Sequence, residues 1–314
     1  MIKLKTFGSF TVGNDLTSVQ EGAWRSEKLE KLFVYLAMNR NRGVCIEDIS
    51  EAIWQVEEET DNPVGALKNL AYRLRKALRD ASFDEECIVS VRGGLYKWND
   101  DVEVTIDVEE FDRYINEAEM AFCRSKETAI ESYEKAIALY HGDFLPLRTD
   151  THWFMTLNAF YHSRYVNTVK ALAKLYIDTG CYEKLEQLCI RAIVYERSDE
   201  QIYSYLIMAR MRTKKVQMAF DTYETAKAIM DKDLGVRKTV MLNKVYEELL
   251  SVTKGVSSYN IDEVKDDISE ESMNGVFMCG CPVFKEIYQL EVRKSARSTI
   301  PESQGLVTVV PMYS

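Results

Sequence analysis

The residues best placed to do chemistry lie between Asn62 and Arg79. The stretch Val64–Arg79 carries five bases, Lys68, Arg73, Arg75, Lys76 and Arg79, and no acid, in a chain of net charge −10. At ~100° per residue, Leu67, Ala71, Leu74 and Leu78 fall on one narrow helical face. Asn69, Tyr72, Arg73 and Lys76 fall on the opposite face. Asn62 followed by Pro63 reads as an N-cap and a first helical residue. A basic, acid-free face with an amide and an aromatic is suited to phosphates and base edges in the DNA major groove.

The elements around this helix are those that would present it. Ile2, Leu4 and Thr6 alternate with Lys3 and Lys5, and Phe10 and Val12 follow. They predict a half-buried strand pair turning near Gly8 and Gly13. Ser26 caps a helix in which Leu29, Leu32, Phe33, Leu36 and Ala37 recur, ending near Met38 before Gly43. Val44–Ile46 is expected to be extended. Ile49, Ala52, Ile53 and Trp54 predict a second short helix, and residues 57–61 an acidic loop. Past the basic helix, Ile88–Arg92, Gly93-Gly94 and Leu95–Trp98 predict a β-hairpin. Sheet, helix, short strand, helix, basic helix and hairpin is the order of a winged helix-turn-helix.

Composition narrows the alternatives. Lys+Arg number 40 against Asp+Glu 50, so the chain is no uniformly basic nucleic-acid binder and is unsuited to anionic membranes. Only 14 Gly and 5 Pro favour a helix-rich fold. No apolar run is long enough to span a bilayer, and the N-terminus lacks a signal-peptide core. Seven scattered cysteines without a Cys-x-x-Cys pair fit reduced thiols in the cytoplasm. The sequence holds no P-loop, Gly-rich dinucleotide turn or nucleophile elbow, so neither cofactor nor enzyme is expected. His141, His152 and His162 lack the spacing of a metal site.

Beyond Asp107 the pattern is helical: Asp107 to about Phe122, then 129–140, 151–179, 182–195, 200–213, 215–230 and 237–252. A faint 34-residue self-offset aligns Thr179-Gly180 with Thr213-Lys214 and Ala192 with Ala226. That is the tetratricopeptide period. The dense aromatics, Tyr140, Trp153, Phe154, Tyr161, Tyr165, Tyr176 and Tyr195 among them, are expected to pack between helices. Residues 255–275 are acidic and aperiodic, which predicts a disordered linker. Residues 276–314 suggest strand, helix, strand. They are too few for a core of their own, so they are expected to dock elsewhere or to belong to a longer chain.

The string Arg73-Leu-Arg-Lys-Ala-Leu78 and the segment Val91-Arg-Gly-Gly-Leu-Tyr96, with the N-terminal strands, resemble the OmpR/PhoB-type winged helix of response regulators, although Leu95 separates the glycines from Tyr96. No receiver domain is expected ahead of it. The middle resembles the bacterial transcriptional activator domain, through Ala138-Leu-Tyr, Gly142-Asp-Phe-Leu145, Trp153, Gly180-Cys-Tyr-Glu183, Met218-Ala-Phe220, Tyr223 and Asp233-Leu-Gly-Val236. The two in this order resemble regulators of the Streptomyces-antibiotic-regulatory-protein type. A stretch from Phe284 to Arg297 is vaguely similar to the opening of a degenerate diguanylate-cyclase-type domain, without its Gly-Gly-Asp/Glu-Glu-Phe loop.

The expected architecture is therefore mainly α with an α+β N-terminal domain. A winged helix spans 1–104, tetratricopeptide-like helices 105–253, an acidic linker 254–275 and a partial α/β tail 276–314. The expected DNA-binding residues are Lys68, Asn69, Tyr72, Arg73, Lys76 and Arg92, on double-stranded DNA. The short basic face implies a homodimer or tandem half-sites. The family resemblance implies activation through RNA polymerase, often on direct repeats. Residues 1–100 carry 14 Lys/Arg and 16 Asp/Glu, which leaves open a protein–protein adaptor that uses the same elements as docking scaffolds.

Overall fold

A computed structural model describes residues 1–14, 16–55, 62–91, 94–234 and 239–256. The acidic loop, Arg92, Gly93, most of the expected linker and the whole tail lie outside the described residues. The strands β1 (Ile2–Lys5), β2 (Thr11–Gly13), β3 (Ser18–Gln20) and β6 (Val104–Ile106) form one sheet in the order β3-β2-β1-β6. Between β3 and β6 come α1 (Glu27–Met38), α2 (Ile46–Ile53), α3 (Pro63–Asp80) and the hairpin β4 (Ile88–Val91)–β5 (Leu95–Trp98). The expected strand pair is thus extended by β3 and β6. Pairing sets Leu4 opposite Val12 and Ile106, and Val12 opposite Val19. One buried apolar row therefore crosses all four strands.

The helix α1 shows how local pattern and burial can part. Its apolar positions are those read from the sequence, yet Leu29 to Ala37 are all buried, Glu30 and Lys31 included. Val44 is extended as expected and exchanges two hydrogen bonds with Tyr96 of β5, at 2.8 and 2.9 Å. Ile46, expected in that extended segment, is instead the first residue of α2, because Cys45 caps the helix by accepting from the Asp48 amide. Trp54 follows the end of α2 in an extended conformation.

The strand β6 runs parallel to β1 and leads into α4 (Asp107–Ala121). Asp107 accepts from the Thr6 amide at 2.7 Å, the Thr6 hydroxyl at 2.6 Å and the Phe7 amide at 2.9 Å. Burial pushes its carboxyl up, against the pull of these donors. Next come α5 (Lys126–Leu139), α6 (His152–Thr179), α7 (Tyr182–Tyr195), α8 (Glu200–Arg212), α9 (Val216–Leu234) and α10 (Val240–Val256). From α4 to α9, each helix packs on the next. Ala209, Ala219 and Ala226 are fully buried where helices approach closely.

The 34-residue offset is visible in the backbone. Gly180 and Lys214 both take the left-handed conformation, at φ 71° and 62°. Cys181 N–H donates to the Tyr176 carbonyl, and Lys215 N–H to that of Arg210, each at 2.8 Å. Gly180 N–H donates to Ile177 and Lys214 N–H to Met211, at 3.2 and 3.1 Å. Two Schellman turns thus end α6 and α8 in the same way. Aromatic rings fill the array as expected: Tyr140 stacks on Tyr165 with centroids 3.8 Å apart, and Tyr195 meets both edge-on. Among the described residues no helix is long and apolar enough to cross a membrane, and no group of three or more His, Cys, Asp and Glu side chains could hold a metal.

Candidate nucleic-acid interface

The helix α3 starts where Asn62 Oδ1 accepts the Gly65 amide at 2.9 Å, with Pro63 as its first residue. The cap satisfies an amide that the first turn leaves open. Leu67, Leu70, Ala71, Leu74 and Leu78 are buried, a core face one residue wider than the spacing suggested. Lys68, Asn69, Tyr72, Arg73 and Lys76 are all exposed, Tyr72 to 66%. They share the solvent face of α3. From Lys68 to Lys76 that face runs about 12 Å along the axis at 1.5 Å per residue.

The five bases of this helix divide into two sets. Arg75 turns inward: its Nε and Nη2 donate to the Ile88 carbonyl at 3.1 and 3.0 Å, which ties α3 to the first wing strand. Arg79 pairs with Glu85 just before that strand, through Nε at 2.8 Å. Lys68, Arg73 and Lys76 make no ion pair among the described residues. Three positive charges thus face solvent while two hold the wing in place. In the sequence Arg75 is one of five bases on this helix and has no distinguishing mark. Its intermediate burial, between buried Leu74 and Leu78, separates it from the others.

The wing pairs Ile88 with Trp98, Val89 with Lys97, Ser90 with Tyr96 and Val91 with Leu95. Gly94 enters β5 at φ +79°. Arg92, expected to contact DNA from this turn, lies outside the described residues. Beneath the wing, Cys87 is fully buried and its thiol is pushed up to about 12 by desolvation, so it is a packed thiol and not a nucleophile.

Two histidines, His152 and His162, lie on α6. His152 is exposed on the first turn of α6. His162 is held by two carboxylates, with Nδ1 2.8 Å from Asp143 and Nε2 3.1 Å from Glu196. Tyr140 O–H donates to the same Asp143 oxygen at 2.5 Å. These acids raise the imidazole to about 9. The group is an ion-paired brace between α6 and the turns after α5 and α7.

Two family models match this chain in succession. "Transcriptional regulatory protein, C terminal" covers residues 21–98, and "Bacterial transcriptional activator domain" covers residues 106–250. The transcriptional regulator RedD of Streptomyces coelicolor is 23% identical over 238 residues, 75% of this chain and 67% of RedD. The solved structure of Mycobacterium tuberculosis EmbR, in complex with a low affinity phosphopeptide, superposes with a TM-score of 0.61. It covers 87% of this chain and 72% of EmbR at 19% identity, which speaks for a shared fold. Winged helix first and activator domain second, the chain is a DNA-binding transcription regulator that resembles the Streptomyces-antibiotic-regulatory-protein type.

Proposed function

We propose that the protein is a cytoplasmic, sequence-specific transcription activator that reads the major groove with the exposed face of α3. The observation that carries this is the set of exposed cations, Lys68, Arg73 and Lys76, beside Asn69 and Tyr72 on a helix whose other face is core. Asn69 lies nearer the helix N-terminus, the end that enters the groove, than Tyr72, Arg73 and Lys76, and its amide matches adenine. Lys68, Arg73 and Lys76 grip phosphates, and Arg92 does so from the wing. In this reading residues 1–104 bind DNA and 105–253 form the array that self-associates and contacts RNA polymerase.

Three cations give a single α3 a modest hold on DNA, so the working form is a homodimer or a pair of copies on tandem half-sites. A gel-shift with genomic fragments at low and moderate salt tests the reading. Retarded complexes that weaken with salt support it. A folded protein that retards no fragment at either salt leaves the winged helix as a protein-docking scaffold.

A further inference from the structure

The loop between α5 and α6 does more than connect two helices of the array. Arg148 Nη2 donates to Glu30 of α1 at 2.6 Å, and both side chains are buried. Glu30 takes the Gly22 amide on its other oxygen at 2.8 Å. Two residues on, Asp150 pairs with the buried Lys31 of α1 through one carboxylate oxygen. Its other oxygen accepts from Gln55 Nε2 at 2.9 Å. Thr151, only 4% exposed, donates its hydroxyl to the Ala52 carbonyl at 2.8 Å. That carbonyl lies in the last turn of α2, where no intrahelical donor is available. The array thus caps the C-terminal end of α2 with a threonine and clasps the residue two places beyond it.

We infer that Asp150 and Thr151 are positioning residues for DNA reading: they fix the end of α2, and through it the angle at which α3 is offered to the groove. The inference rests on the reading of α3 as the DNA-facing helix. Only six residues separate Gln55 from the Asn62 cap of α3. The helix α2 also packs directly on α3, so a shift of α2 is passed to α3. A helix-turn-helix reads bases only when its second helix enters the groove in register with the first, which lies over the backbone. Phosphate attraction, by contrast, tolerates small changes of pitch. Asp150 and Thr151 immediately precede α6, a helix of 28 residues that runs through the array. A rearrangement of the array, by a partner or a second copy, reaches α2 through this contact.

The test uses the full chain and two duplexes: one selected from a random pool by the wild-type protein, and a scrambled duplex of equal composition. Thr151→Val keeps the shape and removes the donor. Asp150→Asn removes the charge facing Lys31. Each is expected to lose roughly fivefold or more on the selected duplex, the scale of one buried hydrogen bond, and nothing on the scrambled one. Thr151→Ser restores binding. Arg73→Ala, the control, loses affinity for both duplexes. If both positioning variants are folded by circular dichroism and bind the selected duplex like wild type, the inference fails while DNA reading stands. If they lose equally on both duplexes, their role is support of the fold alone and the inference fails. If the wild type enriches no sequence from the pool, the DNA reading fails and takes the inference with it.

Discussion

Arg75 of α3 holds the carbonyl of Ile88 in the first wing strand with two guanidinium hydrogen bonds, at 3.1 and 3.0 Å. The helix α3 and the wing are thereby joined by a base to which the sequence pattern assigns no role. Base composition and base function part on this helix. Arg75 and Arg79 brace the wing, and Lys68, Arg73 and Lys76 face outward.

The first prediction separates the two faces of α3. Leu74 is fully buried, and Leu74→Ala should cost ~2–5 kcal/mol of stability. Tyr72 is 66% exposed, so Tyr72→Ala should leave the urea midpoint nearly unchanged. Urea unfolding of the two variants checks this. Equal midpoints for both would contradict the assigned faces.

Specificity and affinity should also separate along the exposed face. Asn69→Ala is expected to relax base preference, at ~1–3 kcal/mol on the preferred site. Arg73→Ala and Lys76→Ala should weaken binding to all sequences about equally. Competition binding with selected and random duplexes reads both effects. An Asn69→Ala variant with unchanged preference would remove Asn69 from base reading.

A third prediction concerns the crossing of Gly8 and Gly142. Phe7 pairs with Phe144 as an antiparallel bridge, and Gly8 N–H donates to the Asp143 carbonyl at 2.9 Å. Gly8 has φ +83°, and a Cβ there would lie 2.6 Å from the His141 carbonyl oxygen. Gly22 has φ +78° with nothing within 4 Å of its Cβ position. Both alanine substitutions bear backbone strain, but only Gly8→Ala adds a backbone clash. It should destabilise by well over ~1 kcal/mol and by more than Gly22→Ala. Thermal melts of the two variants side by side decide the matter.

His162 gives stability a pH dependence. Its folded value is raised from 6.5 to about 9 by Asp143 and Glu196. A raised value means stability that is fully present below about 6.5 and lost as pH rises through about 9. His162→Gln should therefore destabilise near pH 6, on the order of 1–3 kcal/mol, and the gap from wild type should close by pH 10. Urea titrations at pH 6, 8 and 10 measure that gap. A gap that stays constant would show that the ion pairs carry none of the effect.

The helices were legible because their caps and periodicities are local. Asn62-Pro63 marks the start of α3, and α7 begins and ends at Tyr182 and Tyr195 as its pattern indicates. What escaped depends on partners distant in sequence. The strand β6 exists because β1, a hundred residues earlier, offers it an edge. Glu30 and Lys31 look like surface charges within an apolar run, but α1 is buried throughout from Leu29 to Ala37 and their partners come from residues 148 and 150. On the candidate interface, the solvent face of α3 was legible from 3.6-residue periodicity. The inward turn of Arg75 was not, because its acceptor is a backbone carbonyl.

The most direct test of the central claim is the salt dependence of duplex binding for wild type and for Lys68→Ala/Arg73→Ala/Lys76→Ala. Each phosphate contact contributes a slope of about −0.9 in log affinity against log salt concentration on duplex DNA. The triple variant is expected to stay folded, bind more weakly and have a slope shallower by roughly three. A folded triple variant that binds with the wild-type affinity and slope would contradict it.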